Sequence, residues 1–362
     1  MSASRVGTII VGLSLLIAAA CTSTREEPIL DASPTSDPIV LQLGTGDPLG
    51  RPDTPVVAGF ANAVEDLSEG RMLIEVVWQA AGTSGPSSGG EQGVVGLVQD
   101  GELDLGWVGA RVWDTMGVTS FQALQAPFLI TDQQLLTEVL ASPMAGEMMA
   151  GLDEADVVGL GMFHDGLRYP LGYAAPMASL EDFDGAAIRL QSSEATESLI
   201  RALGGRPVYG LNGDELDAAI TAGDIDGTEV SLALAPTLAQ DVAPRSVITG
   251  NVVLFPRVNT LFAGHELMAS LSDEQQAILA AGVEEAQAIA TELATEDVQA
   301  FCDAGGEIVD ASRAEVAAME RAAQPVYRTL EADPATKAFI EEIRGLKEGQ
   351  PAAEVPASCG GG

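Results

Sequence analysis

Two arginines close apolar runs in a chain that is otherwise short of positive charge. Arg168 follows Phe163-His164-Asp165-Gly166-Leu167, and Arg189 follows Ala186-Ala187-Ile188. Seventeen Lys and Arg face 53 Asp and Glu, so a guanidinium beside an apolar segment needs an anion to offset its burial. A planar fork of donors grips a carboxylate through two parallel bonds. Two such forks at the mouth of a cleft make a carboxylate trap. The other partner open to each arginine is a nearby acid of the chain itself, such as Asp165 or Glu194.

Other chemistry is poorly provided for. The net charge of -36 repels phosphate backbones, which excludes nucleic acid as a partner. His164 and His265 lie far apart, and the three cysteines form no CxxC pair, so neither zinc nor any other cofactor is implied. Gly82 to Gly90 is glycine-rich, but no Gly-Lys-Ser/Thr follows, and it reads as a loop. No Gly-x-Ser-x-Gly elbow is present. Met144, Met148 and Met149 fit helix packing. His164, at a strand end, either meets a ligand or stands in a solvated loop. Acid and base work by a carboxylate pair such as Asp165 and Glu229 is the hydrolase alternative. We expect no enzyme.

These residues must be held by elements that the apolar pattern outlines. Ile39 to Gly44 is a buried strand opening into a loop, Val56 to Leu67 a helix, Met72 to Trp78 a strand, and Leu103 to Val108 another after a helix through Leu97. The alternation predicts a parallel sheet with helices on both faces, with ligands beyond the carboxyl ends of its strands. It resumes with strands at Val157 to Phe163, Ala187 to Leu190 and Arg206 to Tyr209, and helices at Glu194 to Leu203 and Asp214 to Ala222. After Val252 to Phe255 a long helix is expected over Asp273 to Ala300, with Ser272 as its N-cap. The fold class is α/β, a two-lobed clamshell with crossing strands and a long helix that spans both lobes. Residues 39–163 with 251–290 form one lobe, and 164–250 with 291–348 the other.

Arg5 followed by the uncharged run Val6 to Ala20 reads as a signal peptide over residues 1–20. Ile17-Ala18-Ala19-Ala20-Cys21 resembles a bacterial lipobox, with Ala18 where Leu is commoner, which implies a lipid on Cys21 and an anchor in the cell membrane. The alternative is an ordinary secreted protein cut elsewhere. Residues 21–38 are a polar, Pro-rich tether. Cys302 and Cys359 would then remain as a pair in an oxidising compartment, able to staple the tail 349–362 to a helix. Lys337 and Lys347 are the only lysines, so Asp and Glu dress the surface, through adaptation to high salt or simply through nucleotide composition.

Several short motifs fall in a family's order. Gly89-Gly90-Glu91-Gln92 through Gln99-Asp100-Gly101-Glu102-Leu103-Asp104-Leu105-Gly106-Trp107, then Ala126-Pro127-Phe128-Leu129, resembles the solute-binding subunits of tripartite ATP-independent periplasmic (TRAP) transporters. Leu180 to Arg189 is similar to that family's DLKGLKIRVP, Ala218 to Glu229 to its ALQxGxVDGQEN, and Leu271 to Gln276 to its LSPEQQ. The resemblance covers roughly residues 39 to 330. It implies an extracytoplasmic clamshell that closes over a small organic acid and hands it to a membrane permease driven by an ion gradient. Arg189 stands at the family's principal carboxylate-binding arginine and Arg168 at a second one. Glu91, Trp107 and Glu229 fall in segments that line its cleft, and Asn251 where a polar residue often follows the second crossover. Val230 replaces a common Asn and Asp217 a frequent aromatic. A binding lipoprotein of an ATP-driven importer and a purely structural envelope lipoprotein are the other readings.

Overall fold

The computed structural model describes residues 37–82, 87–211, 213–241, 243, 245–293, 298–349 and 358–359. The leader, Cys21 and the tether through Ser36 lie outside the described residues, as does most of the tail.

Apolar runs flanked by turn residues become short strands: β1 (Ile39–Thr45), β2 (Met72–Val77) and β3 (Leu105–Gly109). Both β2 and β3 pair with β1 in parallel. The helix Thr54–Leu67 turns Val57, Phe60 and Val64 inward, where they meet Leu279, Val283 and Ala286 of the helix Asp273–Leu293. Gly282 permits this approach, because a Cβ there would fall 2.9 Å from Val64. Burying each such apolar side chain contributes about 1.5–3 kcal/mol. Ser272 and Gln275 bond reciprocally at the start of the long helix, as expected of an N-cap. The described part of that helix ends at Leu293, residues 294–297 lie outside the description, and a helix Val298–Asp303 follows.

The sheet is mixed, which corrects the expectation of a parallel one. β4 (Val157–Gly172) is 16 residues long and runs past the predicted end at Phe163. After it come β5 (Ala187–Arg189), β6 (Arg206–Val208), β7 (Gly227–Val230), β8 (Val247–Thr249), β9 (Phe255–Gly264) and β10 (Glu307–Val309). The strand order is β2-β1-β3-β9-β4-β7-β5-β6, with β8 joining β4 to β10. β9 is antiparallel to both β3 and β4, and β4 is antiparallel to β7 and β8. Between Val252 to Phe255 and the long helix the structure places β9, a strand the apolar pattern did not outline.

Ser87–Gln99 is helical, so the loop expected across Gly82 to Gly90 gives way to a helix at Ser87; residues 83–86 lie outside the description. Met144, Met148 and Met149 are buried in an apolar core with Trp113 and Phe262. Cys302 and Cys359 are joined in a disulfide, and Cys359 packs beside the core formed by Leu171, Ile248 and Phe301.

Candidate ligand-binding site

The site begins with an irregularity in β4. Residues from Val157 to Arg168 pair with β9, but the register shifts between His164 and Leu167, leaving Asp165 and Gly166 opposite Arg257. Gly166 takes φ +84°, a left-handed value at which a Cβ is strained, and Pro256 has no N–H to give the ladder. The bulge aims Asp165 at Arg257, whose Nε stands 2.7 Å from the carboxylate. Arg257 also reaches Asp47, in the loop after β1, at 3.1 Å. Burial works against the Arg257 charge, but Asp165, Asp47, Glu91 and Asp53 outweigh it and hold its pKa well above the usual range.

Two more buried ion pairs flank this one. Arg168, next after the bulge, pairs through Nε with Glu229 of β7. Arg111, which follows β3, pairs with Glu91 of the helix Ser87–Gln99. Glu91 is fixed a second time by the Gly109 backbone N–H at 3.0 Å, and any Cβ at Gly109 would collide with the Arg111 guanidinium. All four side chains are almost completely shielded from solvent. Arg111, Gln125, Arg168, Gln191, Glu229 and Arg257 share the lining of one small pocket.

Arg189 differs. It ends β5, whose parallel pairing with β7 sets it beside Thr228, and the Thr228 hydroxyl donates to its carbonyl at 2.9 Å. One terminal nitrogen donates to the Leu211 carbonyl at 3.4 Å, while the buried Nε has no hydrogen-bond partner. No carboxylate forms an ion pair with it among the described residues, although Glu229 lies close enough to act on its charge. Burial pulls its pKa below the usual arginine range. Glu229 and Tyr173 oppose that pull, and the guanidiniums of Arg111 and Arg168 add to it.

An acidic corner borders the cluster. Asp53 precedes the helix Thr54–Leu67 but does not cap it with its side chain. Its Oδ2 instead accepts from the Trp107 indole at 2.9 Å and from Asn259 at 3.3 Å, and Asn259 donates also to Asp165. Burial, then the charges of Asp165 and Asp47, push the Asp53 pKa up to about 6.

The structure therefore assembles some of the expected residues and redirects others. Arg168 and Glu229 meet, but as partners of each other, and neither acid suggested for the two arginines, Asp165 or Glu194, forms an ion pair with Arg168 or Arg189 among the described residues. Asp165 pairs with Arg257 and Glu229 with Arg168, so the two carboxylates of the hydrolase alternative serve different arginines. Trp107 is core, its ring tilted against that of Phe163 with centroids 4.4 Å apart. Asn251 spends its amide on the backbone of Ala311, donating to the carbonyl and accepting from the N–H at 2.8 Å each. His164 is 5% exposed within β4, neither in a solvated loop nor charged near neutrality, because burial lowers its pKa. Arg111 and Arg257 were missed: each is a lone arginine between apolar neighbours, the same signal that marked Arg168 and Arg189. Asp114 was missed too, accepting from the Ser193 hydroxyl at 2.7 Å and the Ala195 N–H at 3.2 Å at the start of the helix Glu194–Ala202.

The sequence matches the profile described as "Bacterial extracellular solute-binding protein, family 7" over residues 47–333. Among solved structures it resembles the sugar acid binding protein DctPAm of Advenella mimigardefordensis in complex with galactonate, with TM-score 0.73, 19% identity and coverage of 86% of this chain and 98% of that one. A TRAP periplasmic solute binding protein of Shewanella oneidensis with bound succinate gives TM-score 0.74 at 17% identity, covering 85% of this chain and 99% of that one. The C4-dicarboxylate-binding periplasmic protein DctP of Rhodobacter capsulatus is 24% identical over 199 residues, 54% of this chain and 56% of that protein. The alignments span between 34% and 56% of the curated relatives' own lengths. Among the described residues no helix is long and apolar enough to cross a membrane. With most of its length matching the family profile and its fold shared with those structures, the chain belongs to the bacterial extracellular solute-binding proteins of family 7.

Proposed function

We propose that this chain captures a small organic acid outside the cytoplasm and delivers it to the membrane subunits of a TRAP permease, without catalysing a reaction. The observation that carries the reading is Arg189, the one arginine of the cluster with no ion pair to a carboxylate among the described residues. A ligand carboxylate placed there supplies the missing anion and gains charge-assisted hydrogen bonds of about 1.5–3 kcal/mol each. Relatives whose structures hold galactonate, galacturonate or succinate support the substrate class.

Closure follows from where the groups sit. Glu91 and Arg111 come from the half of the sheet that carries β1 and β3, while Arg168, Arg189 and Glu229 come from β4, β5 and β7. Residues 39–163 with 251–290 and residues 164–250 with 291–348 act as the two lobes, and a ligand that touches both favours the closed arrangement. Asp114 bonded to Ser193 and Ala195 is one latch between them. A signal peptide over residues 1–20 would direct export, and a lipid on Cys21 after its removal would hold the protein at the cell envelope.

A thermal-shift screen of the chain from Thr22 onward, with small carboxylates beside their amides, tests this. Ligand at about a hundredfold its dissociation constant stabilises by roughly 2.7 kcal/mol. The expected result is a raised midpoint with an acid, none with its amide, and loss of the shift in Arg189→Ala. An Arg189→Ala variant that binds the acid with unchanged affinity would remove Arg189 from the role.

A further inference from the structure

We infer that the arginine cluster, in which Arg189 feels the charges of Glu229, Arg111 and Arg168, selects acids with a single carboxylate and hydroxyls along the rest of the molecule, and that Glu91 is the residue that refuses a second carboxylate. This rests on the reading that Arg189 takes the ligand's carboxylate. Once Arg189 is used, every other guanidinium of the cluster is already committed: Arg111 to Glu91, Arg168 to Glu229, and Arg257 to Asp47 and Asp165. A second carboxylate reaching Arg111 would stand against Glu91 with water excluded, where like charges repel most strongly.

Glu91 has no easy way to step aside. Its Oε1 is held by the Gly109 N–H at 3.0 Å and its Oε2 by Arg111, and the residue is 7% exposed. Displacing it would strand a backbone donor together with a guanidinium. A hydroxyl suits the same place. Each carboxylate oxygen has two acceptor positions, so Glu91 and Glu229 can hold their arginines and still accept from an O–H. Gln125 and Gln191, which line the pocket, add amide donors and acceptors for hydroxyls without adding charge.

The test is calorimetric titration with lactate, erythronate and galactonate against succinate, malate and tartrate, and with galactitol as a neutral polyol. The expected result is that the best monocarboxylate binds about tenfold or more tightly than any dicarboxylate. Glu91→Gln, which frees Arg111 while keeping the shape, should then raise dicarboxylate affinity about tenfold and narrow that gap. A dicarboxylate binding wild type as tightly as the best monocarboxylate, or a gap unmoved by Glu91→Gln, overturns the inference and leaves the carboxylate reading standing. Galactitol binding as well as galactonate, or no acid binding at all, overturns the carboxylate reading and this inference with it. If Glu91→Gln does not fold, the wild-type ratio decides alone.

Discussion

β4 and β5 carry one arginine each, two strands apart in the same sheet, and the fold treats them in opposite ways. Arg168 is sealed against Glu229, both about 4% exposed. Arg189 keeps a backbone carbonyl and a buried Nε with no partner. The first arrangement is complete without a ligand and the second is not. Residue type beside an apolar run therefore marks a place where charge is buried, and only the partner decides whether that charge is structural or available.

The comparison is broken most severely by Glu229→Ala, which leaves Arg168 buried without a carboxylate. Loss of one partner from such a pair costs about 3–5 kcal/mol, to be read as a lowered urea midpoint. Arg189→Ala removes a charge that has no ion pair, so its stability should stay within about 1 kcal/mol of wild type. Equal losses in the two variants would sink the distinction.

A smaller effect comes from pH. Asp53 has its pKa raised to about 6 from 3.8, chiefly by burial and then by Asp165 and Asp47. An acid whose folded pKa exceeds its unfolded value weakens the fold at pH above the folded value, so stability should rise as pH falls from about 6 toward 4. Asp53→Asn should flatten that part of the curve of urea midpoint against pH; parallel curves for the two proteins would contradict the assignment. The smallest effect is expected at Arg201 and Glu197, an exposed pair one helical turn apart at 2.7 Å. Glu197→Ala should cost no more than about 0.5 kcal/mol by the same urea measurement, because water already solvates both charges.

Arg189 was legible because it ends a short apolar run whose spacing reads as a strand. Its neighbours in the cluster were harder to see. Arg257 lies in β9, where Pro256, Arg257 and Asn259 interrupt the apolar pattern, and a strand buried between two others shows no alternation to detect. Pairing was hidden by distance along the chain: Glu91 and Arg111 are 20 residues apart, Arg168 and Glu229 are 61, and Asp47 and Arg257 are 210. Apolar runs also carry no sign of direction, which is why an alternating pattern suggested parallel strands where β9 runs against β3 and β4. The side-chain directions of Trp107 and Asn251 were illegible for a related reason. Both stand in segments near the site, and only the fold shows that one side chain packs inward and the other is used up on Ala311.

The bond between Cys302 and Cys359 turns 57 positions of sequence into a covalent ring. A protease that cuts once inside that ring opens the backbone without dividing the molecule. Nicked protein would run at full mass on a gel without reductant and as two bands with it. Cys359 thus stays attached to the helix Val298–Asp303 even after the chain between them has been severed.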